Sequence, residues 1–148
     1  MDDALLAPPQ EGRAGTPQAG RRLSLLLVED NPLVGHIICS AVEECGFTPI
    51  RTSSWQDFLE ALETHAPDGV ALDLSIPDCA CDEILRTLAD RSYRGLVVIV
   101  SGLDKGALAS ARKLGLRVGL RMAEPLAKPF RFDDLAERLS ALEPLPAA

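Results

Sequence analysis

Three short apolar runs in this chain each end on residues able to do chemistry, and that placement constrains the fold more than any other feature. Leu25-Leu26-Leu27-Val28 runs into Glu29 and Asp30, Val70-Ala71-Leu72 into Asp73, and Leu96-Val97-Val98-Ile99-Val100 into Ser101. Lys128 stands just before Pro129 and Phe130. Apolar, β-rich runs separated by helical stretches predict a parallel sheet buried on both faces. The carboxyl ends of such strands converge on one edge, where ligands bind. Three carboxylates, a hydroxyl and an ammonium gathered there would make a metal-assisted phosphoryl site.

The rest of the pattern fits alternating strands and helices. Strands are predicted at residues 24–29, 47–51, 69–73 and 96–100, with a fifth inside 116–127. The first helix spans 32–45: Pro32 suits its first turn, Leu33, Ile37, Ile38, Ala41 and Val42 form its apolar stripe, and Gly46 stops it. Ser54 is the predicted N-cap of a helix carrying Phe58, Leu59 and Leu62. Further helices are predicted at 82–88, at 105–114 with Gly115 ending it, and at 131–142 with Leu135, Leu139 and Leu142 inward. Five strand-helix repeats give a doubly wound α/β domain with right-handed crossovers.

With 148 residues there is room for one domain and a proper core. Residues 1–22, rich in Pro, Gly, Ala and Gln without periodicity, are expected to be a disordered tail; 23–143 form the domain, and 144–148 fray. A net charge of -7 argues against sequence-independent nucleic-acid binding. No apolar run approaches the roughly 18 residues of a membrane span. The acidic start, Met1-Asp2-Asp3, is unlike a signal peptide, so a cytoplasmic location is expected.

Each chemical piece has an ordinary structural explanation by itself. An acidic pair at a strand end starts a helix, a lone aspartate caps one, and Lys-Pro-Phe makes a turn. Together and in order they carry a resemblance. Leu-Val-Glu-Asp-Asn at 27–31, Leu-Asp-Leu-Ser-Ile-Pro-Asp at 72–78, Val-Ser-Gly at 100–102 and Lys-Pro-Phe at 128–130 resemble the receiver domain of two-component response regulators, here of the stand-alone, single-domain type. The resemblance implies a flavodoxin-like (βα)5 fold with sheet order 2-1-3-4-5.

It also implies roles. Asp73 would be the phosphoacceptor, taking a phosphoryl group from the phosphoimidazole of a histidine kinase or phosphotransfer protein. Asp30, Glu29 (through water), Asp73 and the main-chain carbonyl of Ser75 would hold Mg²⁺. Lys128 would contribute a point charge, and Ser101 would donate its hydroxyl to the phosphoryl group. The Lys128-Pro129 bond would be cis. Close carboxylates repel by roughly 4 kcal/mol per pair at an effective dielectric of about 20, so a divalent cation should stabilise the site.

Such a protein is a switch and not an enzyme acting on a separate substrate pool. Its output would pass to a downstream protein through the face of the fourth helix, fifth strand and fifth helix, as a monomer or a phosphorylation-dependent homodimer. The chain departs from the family pattern in two places. The 115–128 segment is long and lacks the usual switch aromatic, with Met122, Pro125 and Leu126 in that region. Cys79 and Cys81 follow the acceptor loop; a packing role is expected for them over a redox or zinc site. A receiver-like adaptor that works without phosphorylation is the alternative, and a hydrolase is disfavoured because Ser75 stands where such enzymes place an acid.

Overall fold

In a computed structural model, residues 22–146 are described. The elements run β1 (Ser24–Val28), α1 (Pro32–Glu44), β2 (Thr48–Thr52), α2 (Trp55–His65), β3 (Gly69–Leu72), α3 (Cys81–Asp90), β4 (Leu96–Ser101), α4 (Lys105–Arg117), β5 (Arg121–Met122), β6 (Leu126–Ala127) and α5 (Phe132–Leu139). All pairings are parallel, in the order β2-β1-β3-β4-β5 expected, and β6 also pairs with β4.

Alternation along the strands divides the core into two layers. Leu26, Val28, Val70, Leu72, Val97 and Ile99 pack with side chains of α2, α3 and α4, among them Phe58, Leu85 and Leu108. Leu25, Leu27, Ala71, Val98 and Val100 face the other way, onto Ile38 and Val42 of α1 and Leu135 and Leu139 of α5. Period-two side chains from one sheet therefore fill both faces.

Local chemistry sets most boundaries. Asn31 caps α1, its side chain accepting from the amides of Leu33 and Val34 at 3.0 and 3.1 Å. Gly46, at φ 94°, ends that helix as predicted, with the amide of Phe47 returning to the carbonyl of Val42. Ser54 caps α2 through the amide of Asp57.

Three expectations are corrected. Gly115 does not end α4. It is buried inside the helix against Met122, and the helix closes on Gly119 at φ 96°, with Leu120 donating to Gly115 and Gly119 to Leu116. The fifth strand is split into β5 and β6 by Ala123-Glu124-Pro125, because a proline cannot supply a ladder donor. On α1, Leu33 and Ile37 are 67% and 51% exposed; Gly35, Ile38, Ala41 and Val42 are the buried stripe, with Val34 and Cys39 packed partly against the same layer.

The expected N-terminal tail lies outside the described residues apart from Arg22, whose guanidinium donates to the carbonyls of Gly46 and Phe47. At the other end, within the stretch expected to fray, the amide of Leu145 donates to Asp68 at 2.9 Å. No helix among the described residues is long and apolar enough to cross a membrane.

Candidate functional site

The strand register brings the chemical residues to one edge. Val28 pairs with Leu72 and Leu72 with Ile99, so Glu29, Asp73 and the end of β4 emerge side by side. Backbone bonds continue that alignment past the strands. Asp73 donates its amide to Val28 at 3.1 Å, Glu29 to Thr52 at 3.1 Å, and Lys128 to Ser101 at 2.9 Å. The Lys128-Pro129 peptide is cis, as expected.

Asp73 sits at the centre, 2% exposed. Its Oδ1 accepts from the Ser75 amide at 3.0 Å, the Ser75 hydroxyl at 2.7 Å and the Ser101 hydroxyl at 3.3 Å. Its Oδ2 accepts from Lys128 Nζ at 3.3 Å. The same ammonium reaches Glu29 Oε1 at 2.5 Å. Glu29 Oε2 in turn accepts from the Asn31 amide at 3.2 Å.

Charge balance in this cluster follows from unequal hydrogen bonding to two equally buried carboxylates. Glu29 is 1% exposed, and desolvation holds its carboxyl above the usual value despite Lys128 beside it. Burial acts to raise Asp73 too, but the Ser75 donors and the Lys128 charge outweigh it and bring its carboxyl below the usual value. Burial disfavours the charged Lys128, yet its two carboxylate partners hold the ammonium above its usual value. At neutral pH the ammonium is firmly charged and Asp73 is a carboxylate.

Glu29, exposed Asp30 and Asp73 each bring one carboxylate oxygen within 4.8 Å of the others. An all-oxygen donor set of this kind, partly open to water, suits a hard divalent cation that keeps some of its hydration. All five predicted side chains are thus gathered, and Ser75 with them.

From the sequence, Ser75 is expected to contribute only its main-chain carbonyl. Its hydroxyl, at 2.7 Å, is the shortest donor to Asp73. The spacing of two residues, with a serine following the aspartate, was the available signal for such a turn. Asn31, to which the sequence assigns no role, caps α1 with its side chain and donates its amide to Glu29. Cys79 and Cys81 pack against the larger core layer. Burial and nearby Glu83 and Asp78 push the Cys79 thiol up to about 11, and burial also raises Cys81. Both are partly buried thiols whose surroundings disfavour the thiolate.

A doubly wound α/β domain with paired carboxylates, a central aspartate, a serine and a lysine at its strand ends defines the class of aspartate-centred signalling domains. The chain belongs to the response regulator receiver domain family, whose model matches residues 25–140. It is 32% identical over 120 residues to the transcriptional regulatory protein QseB of Escherichia coli O157:H7, covering 81% of this chain and 52% of that protein. It is 27% identical over 120 residues to the cell cycle response regulator CtrA of Brucella ovis, covering 81% of this chain and 50% of that protein. The chain therefore spans about half the length of these curated relatives. Among solved structures, a CheY-like response regulator receiver domain from Methylobacillus flagellatus aligns with TM-score 0.69 and 26% identity, over 83% of this chain and all (100%) of that one. Vibrio cholerae chemotaxis protein CheY4 aligns with TM-score 0.71 at 16% identity, over 83% of this chain and 100% of that one, which shows the shared fold.

Proposed function

We propose that this receiver is a Mg²⁺-dependent phosphoacceptor switch in two-component signal transduction, with Asp73 as the acceptor. The observation that carries the reading is the polarisation of Asp73 from two sides: Lys128 Nζ on Oδ2 and the Ser101 hydroxyl on Oδ1, both at 3.3 Å. A carboxylate attacks an anionic phosphoryl group only where charge is neutralised and geometry held.

In the proposed transfer, an Asp73 oxygen forms a bond to phosphorus as the phosphorus–nitrogen bond of a phosphohistidine breaks, and the imidazole leaves with its electron pair. Lys128 offsets charge on the phosphoryl oxygens. Ser101 donates a hydrogen bond to one of them, giving up its present bond to Asp73. Glu29, Asp30, Asp73 and the Ser75 carbonyl would hold Mg²⁺, which supplies further charge neutralisation. The donor would be a histidine kinase or a phosphotransfer protein in the cytoplasm. The signal would leave through the face of α4, the split β5–β6 strand and α5, towards a downstream protein or a second copy of the chain. The receiver catalyses its own phosphorylation and dephosphorylation and turns over no separate substrate.

The test is intact-protein mass after incubation with acetyl phosphate. The expected result is the gain of a single phosphoryl group that requires Mg²⁺ and is lost in Asp73→Ala. If no mass is gained, and beryllofluoride leaves the amides of Ser101 and Lys128 unmoved, the phosphorylation-independent adaptor replaces this reading.

A further inference from the structure

The charges of α4 are segregated against the character of the whole chain. Its four charged residues, Lys105, Arg112, Lys113 and Arg117, are all basic, in a protein of net charge -7. Three of them line a cleft of about 600 Å³ between α4 and α5, together with Arg138. Apolar side chains share that cleft, notably Leu116, which is 49% exposed.

The cations there are unequally committed. Arg138 is tied to main chain, its Nε donating to the Glu124 carbonyl at 2.9 Å and its Nη2 to that of Pro125 at 3.3 Å. Lys105 and Lys113 make no ion pair with any described residue. Arg112 meets Glu124 at 3.3 Å, but its Nε is buried without a hydrogen-bond partner. Buried donors left unpaired are costly and rare, so the present pairing with Glu124 leaves part of this guanidinium unsatisfied. Glu124 itself is 68% exposed, so its bond to Arg112 is a weak, solvent-screened one that another carboxylate can replace.

We infer that this cleft docks an acidic, apolar-anchored segment of a partner protein: a carboxylate takes the place of Glu124 on Arg112 while a neighbouring apolar side chain covers Leu116. The inference names the partner class for the output face proposed above and rests on that reading. Charge complementarity with free Lys105 and Lys113 selects the acid, and the apolar lining selects a peptide over a plain polyanion.

The experiment titrates isotope-labelled full chain, with and without beryllofluoride and Mg²⁺, using three capped helical peptides that pair leucine with glutamate, glutamine or lysine. A single-stranded oligonucleotide is the fourth probe. The glutamate peptide should bind best, moving the amides of Arg112, Leu116 and Glu124. Lys105→Glu with Lys113→Glu, both exposed positions, should weaken it about tenfold, and Arg112→Gln should weaken it as well. Equal binding of the glutamine peptide, tighter binding of the oligonucleotide, self-association that excludes every peptide, or no binding in either state would each overturn the inference. Phosphoryl uptake is measured by mass on the same samples. Peptide binding without uptake defeats the switch and leaves the docking site standing; uptake without peptide binding does the reverse.

Discussion

Lys128 Nζ lies 2.5 Å from Glu29 Oε1 and 3.3 Å from Asp73 Oδ2, so one ammonium bridges buried carboxylates that follow two different strands. It offsets the repulsion that their shared burial would otherwise impose. Its removal should therefore act on stability, on cation affinity and on phosphoryl uptake at once.

For Lys128→Ala, phosphoryl uptake from acetyl phosphate is expected to fall by about a hundredfold, the usual effect of losing one charge-stabilising donor. Stability without Mg²⁺ should drop by about 2 kcal/mol, because Glu29 is left buried without its cation. Mg²⁺ should bind this variant more tightly, since no ammonium competes for the carboxylates. Calorimetric titration with Mg²⁺ and urea unfolding check both arms, and unchanged Mg²⁺ affinity would contradict the bridging role.

Tyr93 provides a pH dependence remote from the site. Its hydroxyl donates to the Pro67 carbonyl at 2.9 Å, and burial, with the nearby charge of Asp68, holds the phenol above its ordinary value of 10.0. The folded state thus favours the neutral form. That contribution is fully present below pH 10.0 and is lost as pH rises towards the folded value. Tyr93→Phe should cost about 1 kcal/mol at neutral pH and flatten the alkaline decline. Equal slopes for the two proteins above pH 10 would show that another group causes it.

Cys79 should resist alkylation. With its thiol pushed up to about 11, little thiolate exists at neutral pH. Iodoacetamide labelling of Cys79, followed by peptide mass, should be slow at pH 7 and accelerate towards pH 11. Fast labelling at pH 7 would reopen a redox role for the Cys79–Cys81 pair.

Gly115 and Met122 should be energetically coupled. A Cβ on Gly115 would stand 2.9 Å from both Cγ and Cε of Met122. Replacing a helical glycine by alanine gains about 1 kcal/mol of propensity, which the crowding opposes here. Gly115→Ala should be more favourable in a Met122→Ala background than in the unaltered protein, by about 1 kcal/mol. Additive effects in the double-mutant cycle would mean that Met122 swings aside freely.

Much of the fold was legible because its signals are local. The apolar runs of β1, β3 and β4, the cap at Ser54 and the stop at Gly46 each act within a few residues. Gly115 misled because glycine ends helices by its conformational freedom but also serves where neighbours approach closely, and only the position of Met122 shows which applies. Leu33 and Ile37 misled for a related reason: apolar identity does not fix which arc of α1 faces the sheet.

The sequence by itself determined the order of the elements and the identity of the groups at the strand ends, because hydrophobic period and chain order are one-dimensional properties. It placed Glu29, Asp30, Asp73, Ser101 and Lys128 each at the end of an element. Only tertiary structure decided which atoms meet. Lys128 and Glu29 lie 99 residues apart, and their contact exists because parallel register brings the ends of β1, β3 and the β4–β6 pair to one edge. The same packing set the protonation balance of Glu29 against Asp73 and gathered Lys105, Arg112 and Lys113 of α4 and Arg138 of α5 around one cleft. Burial, distance and partner are properties of the folded chain, and no residue carries them alone.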